Sequence, residues 1–201
     1  LAGITTMNSM NIEQARFNMI EQQIRPWDVL DDRVLRVIAS TPREAFVPEQ
    51  YRNMAFSDFC IPLDHEQCMM PPKLEGRLLQ SLAITPDDSI LEIGTGSAYL
   101  TACLARLGGK VHSVDLYAGF TEQAGPRLNE QGIDNVTLET ADAATGLETA
   151  QRYDCIAVTG SLPELHQGFH TLLNPGGRLF VIVGIPPVMQ ALLITRTGED
   201  E

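Results

Sequence analysis

The fold is decided by the stretch Ser89-Ile90-Leu91-Glu92-Ile93-Gly94-Thr95-Gly96-Ser97-Ala98-Tyr99-Leu100. Its first half is a short apolar run that predicts a buried strand, and two glycines one residue apart follow it. Apolar residues then recur at helical spacing as far as Leu107. A strand that passes through a glycine turn into a helix presents free backbone N–H groups and the positive helix end to a ligand. Gly94 and Gly96 allow the backbone to turn sharply and to approach that ligand closely.

Two carboxylates end the next two predicted strands. Asp115 ends the second strand, 19 residues after Gly96, about where nucleotide-binding folds place the carboxylate that accepts two ribose hydroxyls. Asp142 follows the third strand. A dinucleotide fingerprint would need glycine in place of Tyr99, and a P-loop would need a Gly-Lys-Ser/Thr ending, which this chain lacks. The glycine turn and the two acids together resemble the S-adenosylmethionine methyltransferases.

The bulk composition is that of an ordinary globular chain. Its 201 residues suit one domain that buries roughly 70% of its unfolded surface. The net charge of -12 argues against broad binding to nucleic acid or to anionic membranes. No apolar run approaches the roughly 20 residues of a membrane span, and no signal peptide is visible. Because the four cysteines show no CxxC or metal-ligand spacing, we expect no metal, reduced thiols and a cytoplasmic location.

Strands and helices alternate along the chain. The patterns predict helices over 12–24, 74–82, 99–107, 118–130 and 166–173, and a further helix that Asp31 or Asp32 caps and that stops before Thr41. Strands are predicted over the apolar run from Ile90 to Ile93 and over 110–114, 136–140, 152–159, 178–183 and 189–195. This alternation predicts an α/β fold, a doubly wound and mostly parallel sheet with helices on both faces and the ligand at its carboxyl edge. Pro126 is expected to kink or shorten the helix that contains it.

The predicted organisation is one domain behind a short leader. Residues 1–10 are expected to be flexible, and 11–201 to form a single methyltransferase-like domain. Within it, 11–73 would supply an N-terminal helical extension and the substrate loop, and 74–201 the cofactor-binding core. The stretch 61–72 contains three prolines and no clear period, and is interpreted as a loop over the ligand site.

Four separated stretches resemble the protein-L-isoaspartate O-methyltransferase family. They are Pro42-Arg43-Glu44-Ala45-Phe46-Val47-Pro48, Leu91-Glu92-Ile93-Gly94-Thr95-Gly96-Ser97-Ala98-Tyr99, Tyr153-Asp154-Cys155-Ile156-Ala157-Val158-Thr159, and the run from Leu172 to Gly184 with its paired glycines. The similarity extends from about Met19 to Gly184 and implies the class I methyltransferase fold. In that family another strand follows the equivalent of Thr195, so the printed sequence is expected to end before the last strand.

The resemblance also implies how S-adenosylmethionine is held. In the family the glycine turn, a second-strand acid and a third-strand acid bind the cofactor. The corresponding positions here are Glu92, Gly94, Thr95, Gly96, Ser97, Asp115, Leu116, Asp142, Ala143 and Thr159. The family usually has Glu at the position of Asp115 and Gly at those of Ala98 and Ala143, which are mild changes.

The substrate loop departs from the family pattern. The family reads roughly Gly-Gln-Thr-Ile-Ser-x-Pro, and its serine is tied to activity. This chain reads Glu66-Gln67-Cys68-Met69-Met70-Pro71-Pro72, so only the glutamine, at Gln67, and the last proline match. Met70 replaces the serine, and Glu66 replaces the glycine. No catalytic residue is assigned, and the candidates on the acceptor side are His65, Gln67 and Met70.

The implied activity is methyl transfer to isoaspartyl carboxylates of damaged proteins, a protein-repair reaction. A carboxylate is already ionised at neutral pH and needs no general base, so the lack of an obvious catalytic dyad does not exclude an enzyme. Two alternatives stay open because of the altered loop. One is an S-adenosylmethionine-dependent methyltransferase with a different small acceptor, and the other is a non-catalytic cofactor-binding protein.

Overall fold

The central element is a six-stranded sheet, seen in a computed structural model that describes residues 11–198. The predicted leader at 1–10 lies outside the described residues. The helices in that part are α1 (Ile12–Met19), α2 (Asp32–Ser40), α3 (Pro72–Leu82), α4 (Tyr99–Leu107) and α5 (Ala118–Glu130). The strands are β1 (Ile61–Pro62), β2 (Cys68–Met69), β3 (Ser89–Ile93), β4 (Lys110–Asp115), β5 (Val136–Thr140), β6 (Tyr153–Leu162), β7 (Leu173–Ile185) and β8 (Val188–Thr195). The described residues also contain a π-helix at Ile20–Ile24 and 3-10 helices at Arg25–Trp27, Arg43–Ala45, Glu49–Met54 and Gln167–Leu172.

The sheet has the order β5-β4-β3-β6-β7-β8. All neighbours are parallel except β7 and β8, which pair antiparallel. β3 lies between β4 and β6, so the strand order reverses beside it, and ligands of such sheets bind at the carboxyl ends of the strands at this point. The predicted α/β class is confirmed.

The two faces of the sheet are covered differently. Ile90 and Leu91 point to opposite faces, as alternate residues of a strand must. Ile90 belongs to a large apolar cluster to which α2, α3, α4 and α5 all contribute. Leu91 belongs to a smaller cluster with Phe169 and Leu172 of the last 3-10 helix. The helix predicted over 166–173 is therefore a 3-10 helix at Gln167–Leu172.

Local signals explain most helix bounds. Asp31 caps α2 by accepting hydrogen bonds from the backbone N–H groups of Arg33 and Val34. Pro72 stands at the first position of α3, where its missing N–H costs nothing. Pro126, which is expected to kink or shorten α5, does not shorten it, since the helix continues to Glu130. Ala124 and Leu128, buried on either side of the proline, hold this part of α5 against the core.

The segment predicted as a loop at 61–72 contains a small hairpin of β1 and β2. Its turn places His65 at φ +57 and Glu66 at φ +58, with the Gln67 N–H donating to the Asp64 carbonyl over 3.1 Å. Two successive positive φ values across such a bond are the pattern of a type I′ turn, which favours glycine at its second central position. The family's glycine at the position of Glu66 suits this turn, whereas glutamate is strained there.

Candidate functional site

A cavity of about 210 Å³ opens at the carboxyl edge of β3, β4 and β6. One wall is the glycine turn between β3 and α4, and the ends of β4, β5 and β6 continue it. The β1–β2 hairpin forms the facing wall. The lining residues are Leu63, Gln67, Cys68, Met69, Met70, Glu75, Ile93, Gly94, Thr95, Gly96, Ser97, Leu100, Val114, Asp115, Leu116, Tyr117, Phe120, Ala141, Asp142, Ala143, Ala144, Val158, Thr159, Gly160 and Leu162.

The glycine turn is shaped by its contact with β6. Gly94 adopts φ +104, and a Cβ atom there would collide with Oγ1 of Thr159. The Thr159 hydroxyl lies within donating distance of two carbonyl oxygens, that of Gly94 at 2.8 Å and that of Ile93 at 3.0 Å. Thr159 therefore fixes the conformation of the turn. Both residues were predicted to hold the cofactor, and both line the cavity.

Asp115 joins the glycine turn to the end of β4. Its Oδ2 accepts from the Gly96 N–H over 2.9 Å, and its Oδ1 accepts from the Tyr117 N–H over 2.9 Å. Each carboxylate oxygen has a second lone pair, so the group keeps the capacity to accept from a ligand. Asp115 is 7% exposed and lines the cavity, which is the position expected of a ribose acceptor.

The other predicted cofactor residues fall at the same edge, with one exception. Leu116, Asp142 and Ala143 lie on the cavity wall beyond Asp115, and Thr95 and Ser97 lie in the glycine turn.

Glu92 is the exception, because it is absent from the cavity wall. It is fully buried, and its Oε2 accepts from the hydroxyls of Thr101 and Ser113 at 2.5 and 2.6 Å. Ser113 in turn lies 2.6 Å from the Thr95 hydroxyl. Burial is the main cause that raises the pKa of Glu92 to about 8. In this structure Glu92 supports the glycine turn through Thr95 rather than facing the cavity.

Of the three candidate residues on the hairpin, two line the cavity and one does not. Gln67 and Met70 line the cavity. His65 does not, and its ring stacks on Tyr117 with centroids 4.0 Å apart and meets Phe120 edge-on. This stack joins the hairpin to the start of α5. We therefore interpret His65 as a residue that holds the hairpin over the cavity.

Sequence reasoning missed Glu75, the acidic residue that α3 contributes to the cavity wall. Its Oε2 accepts a close hydrogen bond from the fully buried guanidinium of Arg43. Arg43 also donates to the carbonyls of Ala55 and Met70 and lies 4.7 Å from the ring centroid of Tyr99. Burial outweighs the attraction of Arg43 and raises the pKa of Glu75 to about 7.

A signal for Glu75 was present in the sequence. The residue stands three, four and seven positions before the buried Leu78, Leu79 and Leu82, on the apolar stripe of α3. A charged residue on such a stripe needs a partner or a ligand.

The switch-point cavity, the glycine turn and the strand-end acids define a class I S-adenosylmethionine-dependent methyltransferase. The chain matches the family model "Protein-L-isoaspartate(D-aspartate) O-methyltransferase (PCMT)" over residues 14–201. It is 37% identical over 183 residues to a protein-L-isoaspartate O-methyltransferase of Protochlamydia amoebophila, covering 91% of this chain and 86% of that protein. The chain belongs to the protein-L-isoaspartate O-methyltransferase family. This membership confirms the predicted methyltransferase class and its S-adenosylmethionine cofactor.

Solved structures show the same fold. A Plasmodium falciparum protein assigned to this family and solved with S-adenosyl-L-homocysteine superimposes with a TM-score of 0.77 at 18% identity, covering 94% of this chain and 92% of that one. A second protein-L-isoaspartate O-methyltransferase gives a TM-score of 0.76 at 24% identity. The match covers 92% of this chain and 59% of that longer one.

Proposed function

We propose that this chain transfers the methyl group of S-adenosylmethionine to the free carboxylate of isoaspartyl residues in proteins or peptides. One observation carries the proposal. The hairpin that corresponds to the family's substrate loop closes the same cavity whose opposite wall is the glycine turn and Asp115. Donor and acceptor would therefore meet within one cavity.

The residues of the cavity fit the cofactor. Asp115 would accept the ribose hydroxyls, and Asp142 with Ala143 would hold the adenine. Before the N-terminus of α4, the Gly94 N–H donates to the Val114 carbonyl and the Gly96 N–H to Asp115. The N–H groups of Thr95 and Ser97 would therefore be the ones that face the methionine carboxylate. When bound, the cofactor supplies a methyl group that its sulfonium has already activated.

The protein's own task is placement and the exclusion of water. A carboxylate acceptor with a pKa near 4 is ionised at neutral pH, so no side chain has to remove a proton. Leu63, Met69, Met70 and Leu162 give the acceptor side an apolar lining. Gln67 contributes an amide there, and its Nε2 donates to the His65 carbonyl over 3.0 Å.

The test is product formation from an isoaspartyl peptide, measured beside the matching aspartyl peptide and a panel of small acceptors. Methyl ester formed only on the isoaspartyl peptide supports the proposal. Product formed only on a small acceptor would contradict the assigned substrate. Tight cofactor binding without any product would contradict catalysis itself.

Replacing Asp115 by Ala is expected to weaken cofactor binding by about 1.5–3 kcal/mol, because a charged acceptor of hydroxyl hydrogen bonds is lost. The loss also frees the Gly96 N–H that Asp115 holds. Calorimetric titration with S-adenosylhomocysteine measures the change. Asp134→Ala, which removes a carboxylate that does not line the cavity, serves as the control. Unchanged affinity in the Asp115 variant would contradict the assignment of the ribose site.

The proposal extends to the location, the biological role and the domain organisation of the chain. The chain is proposed to work in the cytoplasm, to serve protein repair, and to form one methyltransferase domain over 11–201. A continuous apolar cluster joins Phe46 and Ile61 of the N-terminal part to Ile90 and Leu104 of the core, which supports the single domain. Across residues 11–198, none of the helices has the length and apolar character needed to cross a membrane.

A further inference from the structure

The charged side chains on the cavity wall are all acidic. They are Glu75, Asp115 and Asp142, and no lysine or arginine lines the cavity in the part of the chain that the structure describes. Low-dielectric walls that carry charge of one sign concentrate ligands of the opposite charge. S-adenosylmethionine carries a sulfonium and an α-ammonium group, so two of its charged groups are cations. The proposed contacts of Asp115 and Asp142 are with the adenosine part of the cofactor. Glu75 is therefore the acid on the wall that has no assigned contact with the cofactor.

The fold separates Glu75 from the other two acids. Asp142 follows β5 and Asp115 ends β4, so both lie on one side of the glycine turn that follows β3. Glu75 lies on α3, and its partner Arg43 packs over the ring of Tyr99, the first residue of α4. Glu75 is thus placed at the glycine-turn end of the cavity, where the methionine part of the cofactor is expected.

We propose that Glu75 binds the α-ammonium group of the S-adenosylmethionine methionine moiety. Arg43 holds Oε2 and so fixes the side chain, and Met70 is fixed by the same guanidinium through its carbonyl. Because Arg43 is bonded to Oε2, Oε1 keeps its capacity to accept from a ligand, and Glu75 contributes to the cavity wall. An ammonium group that leaves water needs acceptors, and charge-assisted bonds to carboxylates are the strongest available to it.

The environment of Glu75 suits a cationic ligand. Besides Arg43, the titratable groups that interact with it are Tyr99 and Cys103 of α4, and both are fully buried. Burial alone disfavours the charged carboxylate, and Arg43 compensates only in part. A bound ammonium would supply the missing compensation.

The experiment compares S-adenosylhomocysteine with the analogue in which hydrogen replaces its amino group, by calorimetric titration. The unmodified chain is expected to bind the deaminated analogue about 10- to 100-fold more weakly, the usual value of one hydrogen bond to a charged group. Glu75→Gln is expected to lose a similar factor for S-adenosylhomocysteine. The affinity of the Glu75→Gln variant for the deaminated analogue should stay within about threefold of the affinity that the unmodified chain has for it. The variant should therefore show no preference between the two compounds.

Two further variants keep the test decisive. Glu66→Gln makes the same charge change on the exposed turn, outside the cavity wall, and is expected to keep the full preference. Glu75→Asp retains a carboxylate that can pair with Arg43. This variant is measured instead of Glu75→Gln if Glu75→Gln fails to fold. It is expected to show a reduced preference, because the shorter side chain cannot serve both partners.

The contradicting outcomes are distinct. Equal affinity of the unmodified chain for both compounds, or a full preference in the Glu75 variants, overturns the role of Glu75 and leaves the cofactor assignment standing. No binding of S-adenosylhomocysteine to the unmodified chain overturns both, because the inference rests on the proposed function.

Discussion

Replacing Arg43 by Met is expected to lower the free energy of unfolding by about 3–5 kcal/mol, the usual cost of removing one partner of a buried ion pair. The guanidinium is fully buried and joins four parts of the structure, through Glu75, the carbonyls of Ala55 and Met70, and the ring of Tyr99. Methionine fills much of the volume but leaves the carboxylate and both carbonyls without their donor. Denaturant unfolding measures the change.

The loss should depend on pH. The pKa of Glu75 is about 7 in the folded state, above its value in the unfolded state. Between these two pKa values the folded state binds one proton more than the unfolded state. The free energy of unfolding therefore falls as pH rises between them. Without Arg43 the folded pKa rises further, because desolvation is no longer opposed. The destabilisation is therefore expected to be larger at pH 8 than at pH 5.5.

Two comparisons isolate the pair. Arg25 forms an exposed pair with Glu21 one helical turn away, and Arg25→Met is expected to cost less than about 0.5 kcal/mol. Arg43→Met combined with Glu75→Leu should be more stable than Arg43→Met alone, since no buried charge remains. A loss below about 1 kcal/mol in Arg43→Met would mean that the pair contributes little to folding.

The parts of the fold that could be predicted from the sequence rest on local signals. The bounds of α4 and α5 follow from apolar periodicity and from the residues that flank them, and the structure gives the same ranges. Asp115 and Thr159 could be placed at the site because parallel strands share one carboxyl edge. Alternation of elements is enough to predict that edge.

The parts that could not be predicted depend on contacts distant in sequence. Glu92 precedes the glycine turn like a ligand residue, yet it is directed towards Thr101 and Ser113 rather than the cavity. The pairing of Glu75 with Arg43 spans 32 residues, and neither residue type nor spacing reveals it. The β1–β2 hairpin depends on two non-glycine residues with positive φ, which single-residue preferences argue against.

Isoaspartyl peptides are expected to be methylated about 10²–10³-fold more slowly by this chain than by family members that keep the loop serine. Met70 lies on the cavity wall where the family has that serine, so a thioether replaces an oriented hydroxyl. The hairpin from Ile61 to Met70 contains no serine, threonine or tyrosine that could substitute for it. The acids on the wall also disfavour an anionic acceptor. Initial rates with one isoaspartyl peptide, measured beside a serine-containing relative, test this.

Glu66→Gly, Cys68→Thr and Met70→Ser together should raise the isoaspartyl rate, whereas Met70→Ser alone should not suffice, because Glu66 still repels a carboxylate. Glu66→Gly alone is the matched control. It removes a side chain from a position at φ +58 and should stabilise the fold by about 1 kcal/mol, without supplying the hydroxyl. Turnover by the unmodified chain at a rate typical of the family would contradict this interpretation. Recognition would then rest on Gln67 and on the hairpin backbone, which Arg43 holds through the Met70 carbonyl, and the serine would be dispensable.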